Sequence, residues 1–426
     1  MVISIPVILG GLLLLGIPIF LALSSTLLIY LGWTTDIPLT ILPQRMFAGI
    51  DNFALTAIPF FNLAAEIMRA GRLADRLIGV ARIATGFLPG GLGIAAVLAC
   101  MMFACISGSS PATVIAVGSV MFPALTAAGY SRAFACGLIT TAGSLGILIP
   151  PSVTFIIYGV ATGSSVGALF AAGVVPGLLV GVMFMVYCVF YARRHKVQAD
   201  PVPDLRTVLR TLKDSFWVLL LPVVVLGGIY GGVFTPTEAA AIAASYSMLL
   251  ALVVYRSLTW RELPALLARS GLLSGVLLLI IAGASAFSWL ITSQDVPQNV
   301  TVWVLGATDN KAVVLLLLNG LLLVMGCFIE SASAIVILMP IIMPIAQRLH
   351  IDLVHFGVLF TMNMEVGMVT PPVGLNLVVA KMITGMSLAE IVRAALPTLA
   401  ILLLGLLIVT YWPALSLALP HLLFPS

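Results

Sequence analysis

Hydrophobic positions along this chain fall into long blocks rather than the periodic stripes of a water-facing helix or strand. Val2 to Leu31, Phe53 to Met68, Leu169 to Tyr191, Phe216 to Val233, Ala239 to Tyr255 and Gly271 to Thr292 each read as one crossing of a bilayer, joined by short charged segments. A membrane-spanning helix needs about 20 predominantly apolar residues, and these blocks supply them. Four stretches do not fit single crossings. Phe87 to Ala127 is too long and is interrupted at Ser107 to Pro111, which predicts a helical hairpin that turns back near the midplane. Lys311 to Leu349 predicts a second hairpin, with its tip at Glu330 to Ser333. Arg132 to Gly163 and His355 to Thr384 each predict a helix broken by a proline pair, Pro150-Pro151 and Pro371-Pro372. A final helix follows Arg393.

The interruptions repeat. Adding 221 to a residue number carries Phe87–Leu178 onto Thr308–Leu399 without a gap. Ser110 then meets Ser331, Pro123 meets Pro344, Gly146 meets Gly367 and Pro176 meets Pro397. Glycine and proline fix backbone geometry, so one shape is built twice. Basic clusters orient the copies: Arg69, Arg72, Arg76 and Arg82; Arg193-Arg194-His195-Lys196; Arg256, Arg261 and Arg269; Lys381 and Arg393. Positive loops stay in the cytoplasm. The N-terminus is then expected inside as a retained first helix, residues 34–52 and an acidic loop at Asp295 to Asp309 outside, and the C-terminus outside. The first hairpin enters from the cytoplasm and the second from the other face, against which only Arg348 argues. The expected fold is an all-α polytopic membrane protein with inverted-topology repeats, divided at 1–86, 87–163, 164–304, 305–385 and 386–426.

Composition agrees: the chain is 62% hydrophobic and 8% charged, with mean hydropathy +1.22. The net charge of +4 is loop charge, without the basic, aromatic-laced stripe of a nucleic-acid binder. Cys100, Cys105, Cys136, Cys188 and Cys327 lie in apolar blocks without a Cys-x-x-Cys spacing and read as small buried hydrophobes. No phosphate loop, nucleophile elbow or His-Glu-x-x-His occurs, and His350 and His355 do not share a helical face. An enzyme therefore lacks its chemistry here.

Matched broken helices point instead to a transport site. The stretch Ser107-Gly108-Ser109-Ser110, with Thr113 one turn on, offers hydroxyls and unpaired carbonyls. So do Pro150-Pro151-Ser152 and, in the second copy, Glu330, Ser331, Ser333, Thr370, Pro371, Pro372, Gly374 and Asn376. Hard oxygen ligands suit a small cation such as Na⁺, placed at Ser107, Ser109, Ser110 and Ser331, and half-helix N-termini suit a carboxylate. The same breaks are expected to be buried in the bundle, since unpaired backbone costs several kcal/mol in hydrocarbon. Glu66, Glu238, Glu330 and Glu365 are the intramembrane carboxylates. Glu330 and Glu365 stand at the tip and the break, where they can carry protons or simply bind loose backbone; Asn363 and Asn376 can act as ligands or caps. No arginine or lysine lies in either hairpin interior except at the mouths, which predicts an anion held by helix N-termini, hydroxyls and bound cations rather than by an arginine clamp.

Phe103 to Pro123, Gly146 to Gly159, Leu169 to Gly177 and Gly367 to Asn376 together resemble the large membrane subunit of tripartite ATP-independent periplasmic (TRAP) transporters, the DctM or SiaM type. The likeness covers nearly the whole chain and departs from many relatives at Cys105, where a smaller residue is usual. It implies a Na⁺-coupled secondary importer of organic acids, such as a C4-dicarboxylate or sialic acid, in the bacterial inner membrane. It implies partners too: a small four-helix membrane subunit of the DctQ or SiaQ type, expected as a separate chain because no extra N-terminal helices precede the first span, and a periplasmic substrate-binding protein of the DctP or SiaP type. The hairpins and broken helices would form a transport domain moving as an elevator against a scaffold. The alternative is a stand-alone proton-coupled anion transporter or antiporter using Glu330 or Glu365. No cofactor beyond the coupling ion is expected.

Overall fold

The computed structural model describes residues 4–34 and 37–424. The start of the first expected span at Val2, positions 35–36 of the first outer segment and the chain end at 425–426 lie outside the described residues. Among the described residues there are helices and turns and no strand, and eight helices are long and apolar enough to cross a bilayer.

In chain order, α1 is Ser4–Leu14, α2 Ile19–Thr34 and α3 Ile41–Ile50; a 3₁₀ turn at Phe53–Thr56 leads into α4, Ala57–Ala70, and α5 is Leu73–Thr85. The first hairpin is α6, Gly91–Ser107, and α7, Ser110–Ala127. The first broken helix is α8, Arg132–Ala142, extended by a 3₁₀ turn at Gly143–Ile147, and α9, Val153–Thr162. Then come α10, Val166–His195, α11, Leu205–Tyr230, α12, Pro236–Leu249 with a π turn at Leu250–Val254, α13, Leu263–Ser293, and α14, Val296–Ala307. The second hairpin is α15, Lys311–Gly326, and α16, Ser331–Arg348, and the second broken helix is α17, Leu353–Met368, and α18, Leu375–Thr384. The chain closes with α19, Leu388–Tyr411, and α20, Ala414–Leu423. This is the expected polytopic architecture of two inverted-topology repeats, each with a re-entrant hairpin and a Pro-Pro break.

Local chemistry sets the boundaries. Many of the helices are apolar around most of their circumference, as membrane helices are, so caps more than periodicity mark their ends. Ser131 and Asp352, related by the 221-residue shift, accept amide hydrogens at the starts of α8 and α17. Thr235 with Glu238, and Ser387 with Glu390, form capping boxes on α12 and α19.

Five expectations are corrected. The first span is two helices, because Gly16 at φ +75 closes α1 with paired bonds, Ile17 N–H to Leu12 and Gly16 N–H to Leu13, and Pro18 precedes the next helix. The outer segment 34–52 contains α3, packed on α13, with Gly49 against Ser285. The loop at Asp295 to Asp309 is α14, which packs on α16. The final helix is two, with α20 returning to lie on α10. The basic segment after Arg69 likewise holds α5, whose apolar face packs against α6.

The repeat is longer than the sequence reading gave. Shifting α7 by 221 gives 331–348, the bounds of α16, and α8 with its 3₁₀ turn gives 353–368, the bounds of α17. Shifting α5 gives 294–306 against 296–307 for α14, and α2 gives 240–255 against the α12 and π segment at 236–254. The halves interlock: α4 packs on α12 and α13 on α2, α7 on α18 and α16 on α9, α8 on α19 and α17 on α10. Close approach at these crossings requires glycine. A Cβ on Gly137 of α8 would stand 2.1 Å from the Ala394 carbonyl oxygen of α19, whereas one on Gly275 meets nothing within 4 Å. Gly137→Ala is therefore expected to destabilise the folded protein by about 1–3 kcal/mol. Thermal unfolding in detergent would show it as a lower midpoint, with Gly275→Ala unchanged; equal behaviour of the two would contradict the α8–α19 contact.

Candidate functional site

The two hairpin tips and two breaks meet in the middle of the bundle. At the first tip α6 ends at Ser107, Gly108 takes a left-handed conformation at φ +57, Ser109 is extended, and α7 begins at Ser110 followed by Pro111. The interruption is thus two residues, shorter than expected. Ser107 Oγ and Thr113 Oγ1 share a hydrogen bond at 3.0 Å, and Thr113 Oγ1 donates to the Ser109 carbonyl at 2.8 Å. The first break packs directly on this tip. Val153 N–H donates to the Gly108 carbonyl at 3.4 Å, and a Cβ on Gly108 would come within 2.8 Å of the Pro151 oxygen. Ser152 bridges the break by donating to Ile147 O at 2.5 Å and accepting from Phe155 N–H.

The second repeat builds the same joint with different residues. Glu330 caps α16: its Oε2 accepts from Ala332 N–H at 3.2 Å and its Oε1 from Ser331 Oγ at 3.2 Å. Val373 N–H donates to Cys327 O across tip and break, Thr370 Oγ1 donates to Val366 O, and Gly374 turns the chain at φ +44. Both proline pairs, Pro150-Pro151 and Pro371-Pro372, are cis.

The repeats are then cross-tied by a matched pair of bonds. Ser331, the first residue of α16, shares a hydrogen bond with Thr154, the second residue of α9, at 3.2 Å. Ser110, the first residue of α7, accepts from Nδ2 of Asn376, the second residue of α18, at 2.6 Å. Each tip is held by the broken helix of the other repeat. All four residues are buried.

In front of this knot lies a cavity of about 690 Å³. The first residues of four helices line it: Ser110 of α7, Val153 of α9, Ser331 of α16 and Leu375 of α18. Helix N-termini carry roughly half a positive charge each and N–H groups without intrahelical partners, which favours an anion at the starts of α7, α9 and α18, while at α16 the Glu330 carboxylate already takes that place. Gly108, Ser109, Thr154, Glu330 and Ser333 share the wall with apolar side chains that include Ile115, Ile147, Ile157 and Met368. Facing it are Asn62, Glu66 and Arg69 of α4 and the apolar residues Leu272, Leu273, Val276, Leu277 and Ile280 of α13.

The sequence expectations divide cleanly here. Gly108, Ser109, Ser110, Glu330, Ser331 and Ser333 reach the cavity. Ser107, Thr113, Pro150, Pro151, Ser152, Thr370, Pro371, Pro372, Gly374 and Asn376 stand behind or beside it and shape the joints. Asn363 points elsewhere, bonding Asn319 and the Leu359 carbonyl. Glu330 takes the cap role, whereas Glu365 is fully buried with neither oxygen hydrogen-bonded among the described residues. One expectation fails. The first break is buried, but Pro371, Pro372 and Val373 of the second are exposed, which proline tolerates because it has no N–H to leave unpaired. An arginine does reach the cavity: Arg69, assigned from sequence to a topological cluster, comes from a helix outside both hairpins. Its signal was the spacing of Asn62, Glu66 and Arg69, which puts them on one face of an apolar helix. Thr154, equally missed, had no signal apart from following the break.

Comparison with known proteins gives a consistent picture. The family model described as "Tripartite ATP-independent periplasmic transporter, DctM component" matches residues 7–415. A relative from Pseudomonas aeruginosa, named "C4-dicarboxylate TRAP transporter large permease protein DctM", is 50% identical over 377 residues, 88% of each chain. One of the same name from Rhodobacter capsulatus is 44% identical over 427 residues, 97% of each chain. A solved structure of the Alcanivorax borkumensis YdaH transporter shares the fold, with TM-score 0.65 at 17% identity over 91% of this chain and 89% of that one.

The cross-tie carries a direct expectation. Ser110→Ala and Asn376→Ala are each expected to destabilise the folded protein, and the double variant by about 0.5–1.5 kcal/mol less than the sum of the two. Strict additivity in a double-mutant cycle on thermal unfolding would contradict the bond.

Proposed function

The chain belongs to the DctM component family of the tripartite ATP-independent periplasmic transporters and is a large permease subunit, a transporter and not an enzyme; from that premise we propose that it imports an organic acid with Na⁺. The observation that carries this reading is the convergence of four helix N-termini on one cavity, which offers a built anion site in a chain whose membrane interior holds few charges. A C4-dicarboxylate is the proposed substrate class, in line with the names of the two relatives; sialic acid and other carboxylates belong to the same chemistry.

The proposed cation ligands are the oxygens of Ser107, Ser109, Ser110 and Ser331. In support, the hydroxyls of Ser107 and Thr113 and the Ser109 carbonyl already lie within hydrogen-bonding distance of one another, a hard-oxygen cluster of the kind Na⁺ takes up. A cation there offsets the negative charge of an incoming carboxylate. The moving unit in this proposal is the hairpins with the broken helices, residues 87–163 and 305–385, and the remaining helices form the scaffold of an elevator. The asymmetry of the breaks supports alternating access: one buried, one exposed, in repeats built alike. The basic ends of α4 and α10 set the cytoplasmic side of a multi-pass inner-membrane protein, with the N-terminus inside and the C-terminus in the periplasm. The family's tripartite name supports two partners, a small membrane subunit and a periplasmic binding protein. Both relatives match as large permease proteins along most of their length, which favours the small subunit as a separate chain.

Glu365 favours one second reading, since a carboxyl at 0% exposure with no hydrogen-bond partner is a candidate proton carrier. The two readings separate in proteoliposomes containing the permease and both partners. Uptake is expected to require an inward Na⁺ gradient, to fall about tenfold or more in Ser109→Ala, whose hydroxyl has no hydrogen-bond partner among the described residues, and to survive Glu365→Gln; the loss of one charged or hydroxyl ligand has that scale. Uptake that persists when K⁺ replaces Na⁺, but collapses with the proton gradient and in Glu365→Gln, would transfer the coupling to a proton.

A further inference from the structure

The wall of the cavity opposite the helix ends is not inert. Asn62, Glu66 and Arg69 sit four and three residues apart on α4 and form one polar stripe facing the cavity. Asn62 Nδ2 donates to Ser274 Oγ of α13 at 3.1 Å, which fixes the top of the stripe. Arg69 Nη2 donates to Glu66 Oε2 at 2.6 Å, with the side chains 32% and 16% exposed. Among the described residues lining the cavity Arg69 is the one cation. A guanidinium has five N–H groups, and one of Arg69's is used within the chain.

We infer that Arg69 binds the second carboxylate of a dicarboxylate whose first carboxylate rests on the helix ends around Ser110 and Ser331, and that Glu66 is its competitor. The assignment rests on the reading of this cavity as the organic-acid site. Arg69, with N–H groups beyond its bond to Glu66, stands on one wall and the helix starts on the other, that of α16 already capped by Glu330; donors on both walls select an anion charged at both ends over one charged at a single end. Arg69 is suited to the task because its planar fork takes a carboxylate in two bonds. Glu66 matters for two reasons. In the empty cavity it keeps the guanidinium from standing unpaired in a partly buried site, which would be costly. With substrate present it contests the same N–H groups, so the acid is held firmly enough to be selected and loosely enough to leave. Because α4 lies outside both hairpins, the grip of Arg69 exists only while the helix ends face it. Arg69 is thus a specificity-determining residue of this one state.

The test uses the purified permease with its small membrane subunit, in saturating Na⁺ at constant ionic strength, titrated with succinate and with butyrate while thermal unfolding is followed. A ligand that binds the folded state raises the midpoint by mass action, and the titration gives its Kd. Wild type is expected to prefer succinate by about tenfold or more, the scale of one charge-assisted pair. Arg69→Gln and the double variant Arg69→Gln with Glu66→Gln, which leaves no unpaired carboxylate, are expected to bring the two acids to near-equal affinity. Arg69→Lys should restore part of the preference. Glu66→Gln alone should tighten succinate and, in reconstituted uptake with the binding protein, lower KM and kcat together. The Na⁺-induced stabilisation should persist in every variant, which separates the role from folding. An undiminished succinate preference in both Arg69→Gln variants would overturn the assignment while leaving the cavity as the anion site. No stabilisation of wild type by either acid would overturn the anion-site reading, and this inference with it.

Discussion

Everything in this protein depends on how the backbone amides of four interrupted helices are satisfied inside a bilayer. Hydrocarbon offers them no partner, and each unpaired group costs several kcal/mol. The chain answers in two layers. Within a repeat the break donates to the tip, Val153 to Gly108 in the first copy and Val373 to Cys327 in the second. Between repeats a tip side chain meets the second residue of the other copy's post-break helix, Ser110 with Asn376 and Ser331 with Thr154. The second layer turns two kinked helical units into one core. It also leaves the four helix starts facing a common space, that of α16 capped by Glu330, so the solution to a backbone problem brings four helix dipoles to one cavity.

The paired architecture was legible because proline and glycine state backbone geometry directly. Matching Pro150-Pro151 with Pro371-Pro372 and Ser110 with Ser331 fixed the register, and α7 and α16 obey it to the residue. The outer parts of the repeat were not legible. The α5 and α14 pair shares no such markers, and at Asp295 to Asp309 two acids and a threonine-asparagine end looked like a loop although Val296–Ala307 is helical. Hydropathy alone also merged α1 with α2, because Gly16 ends a helix through its φ and not through its polarity. Of the residues lining the cavity, Ser109, Ser110, Glu330, Ser331 and Ser333 were legible because they sit at visible interruptions. Arg69 and Thr154 were missed because they belong to uninterrupted helices, and only three-dimensional packing brings α4 across from the tips. Charge near a helix end has two readings, a topology signal and a site residue. Sequence position does not separate them.

The two repeats follow one plan but use different chemistry to execute it. The first caps its tip with small hydroxyls; the second uses the carboxylate of Glu330, which holds Ala332 N–H and Ser331 Oγ at once. The first break is closed over by its hairpin, whereas Pro371, Pro372 and Val373 are open. A strictly symmetric structure would present the same face in both directions. Departures of this kind make the two halves of a pseudo-symmetric core inequivalent.

The interlock of the halves bears on how the molecule is made. Ser110 waits for Asn376, 266 residues later, and Thr154 for Ser331, 177 residues later. During synthesis the first hairpin and its broken helix must therefore persist in the bilayer with cross-repeat partners still untranslated. Water, lipid headgroups or an insertion chaperone have to cover those groups in the interval. The finished core is sealed late and all at once, so the membrane insertion machinery handles an incomplete first half for most of the time the ribosome spends on this chain.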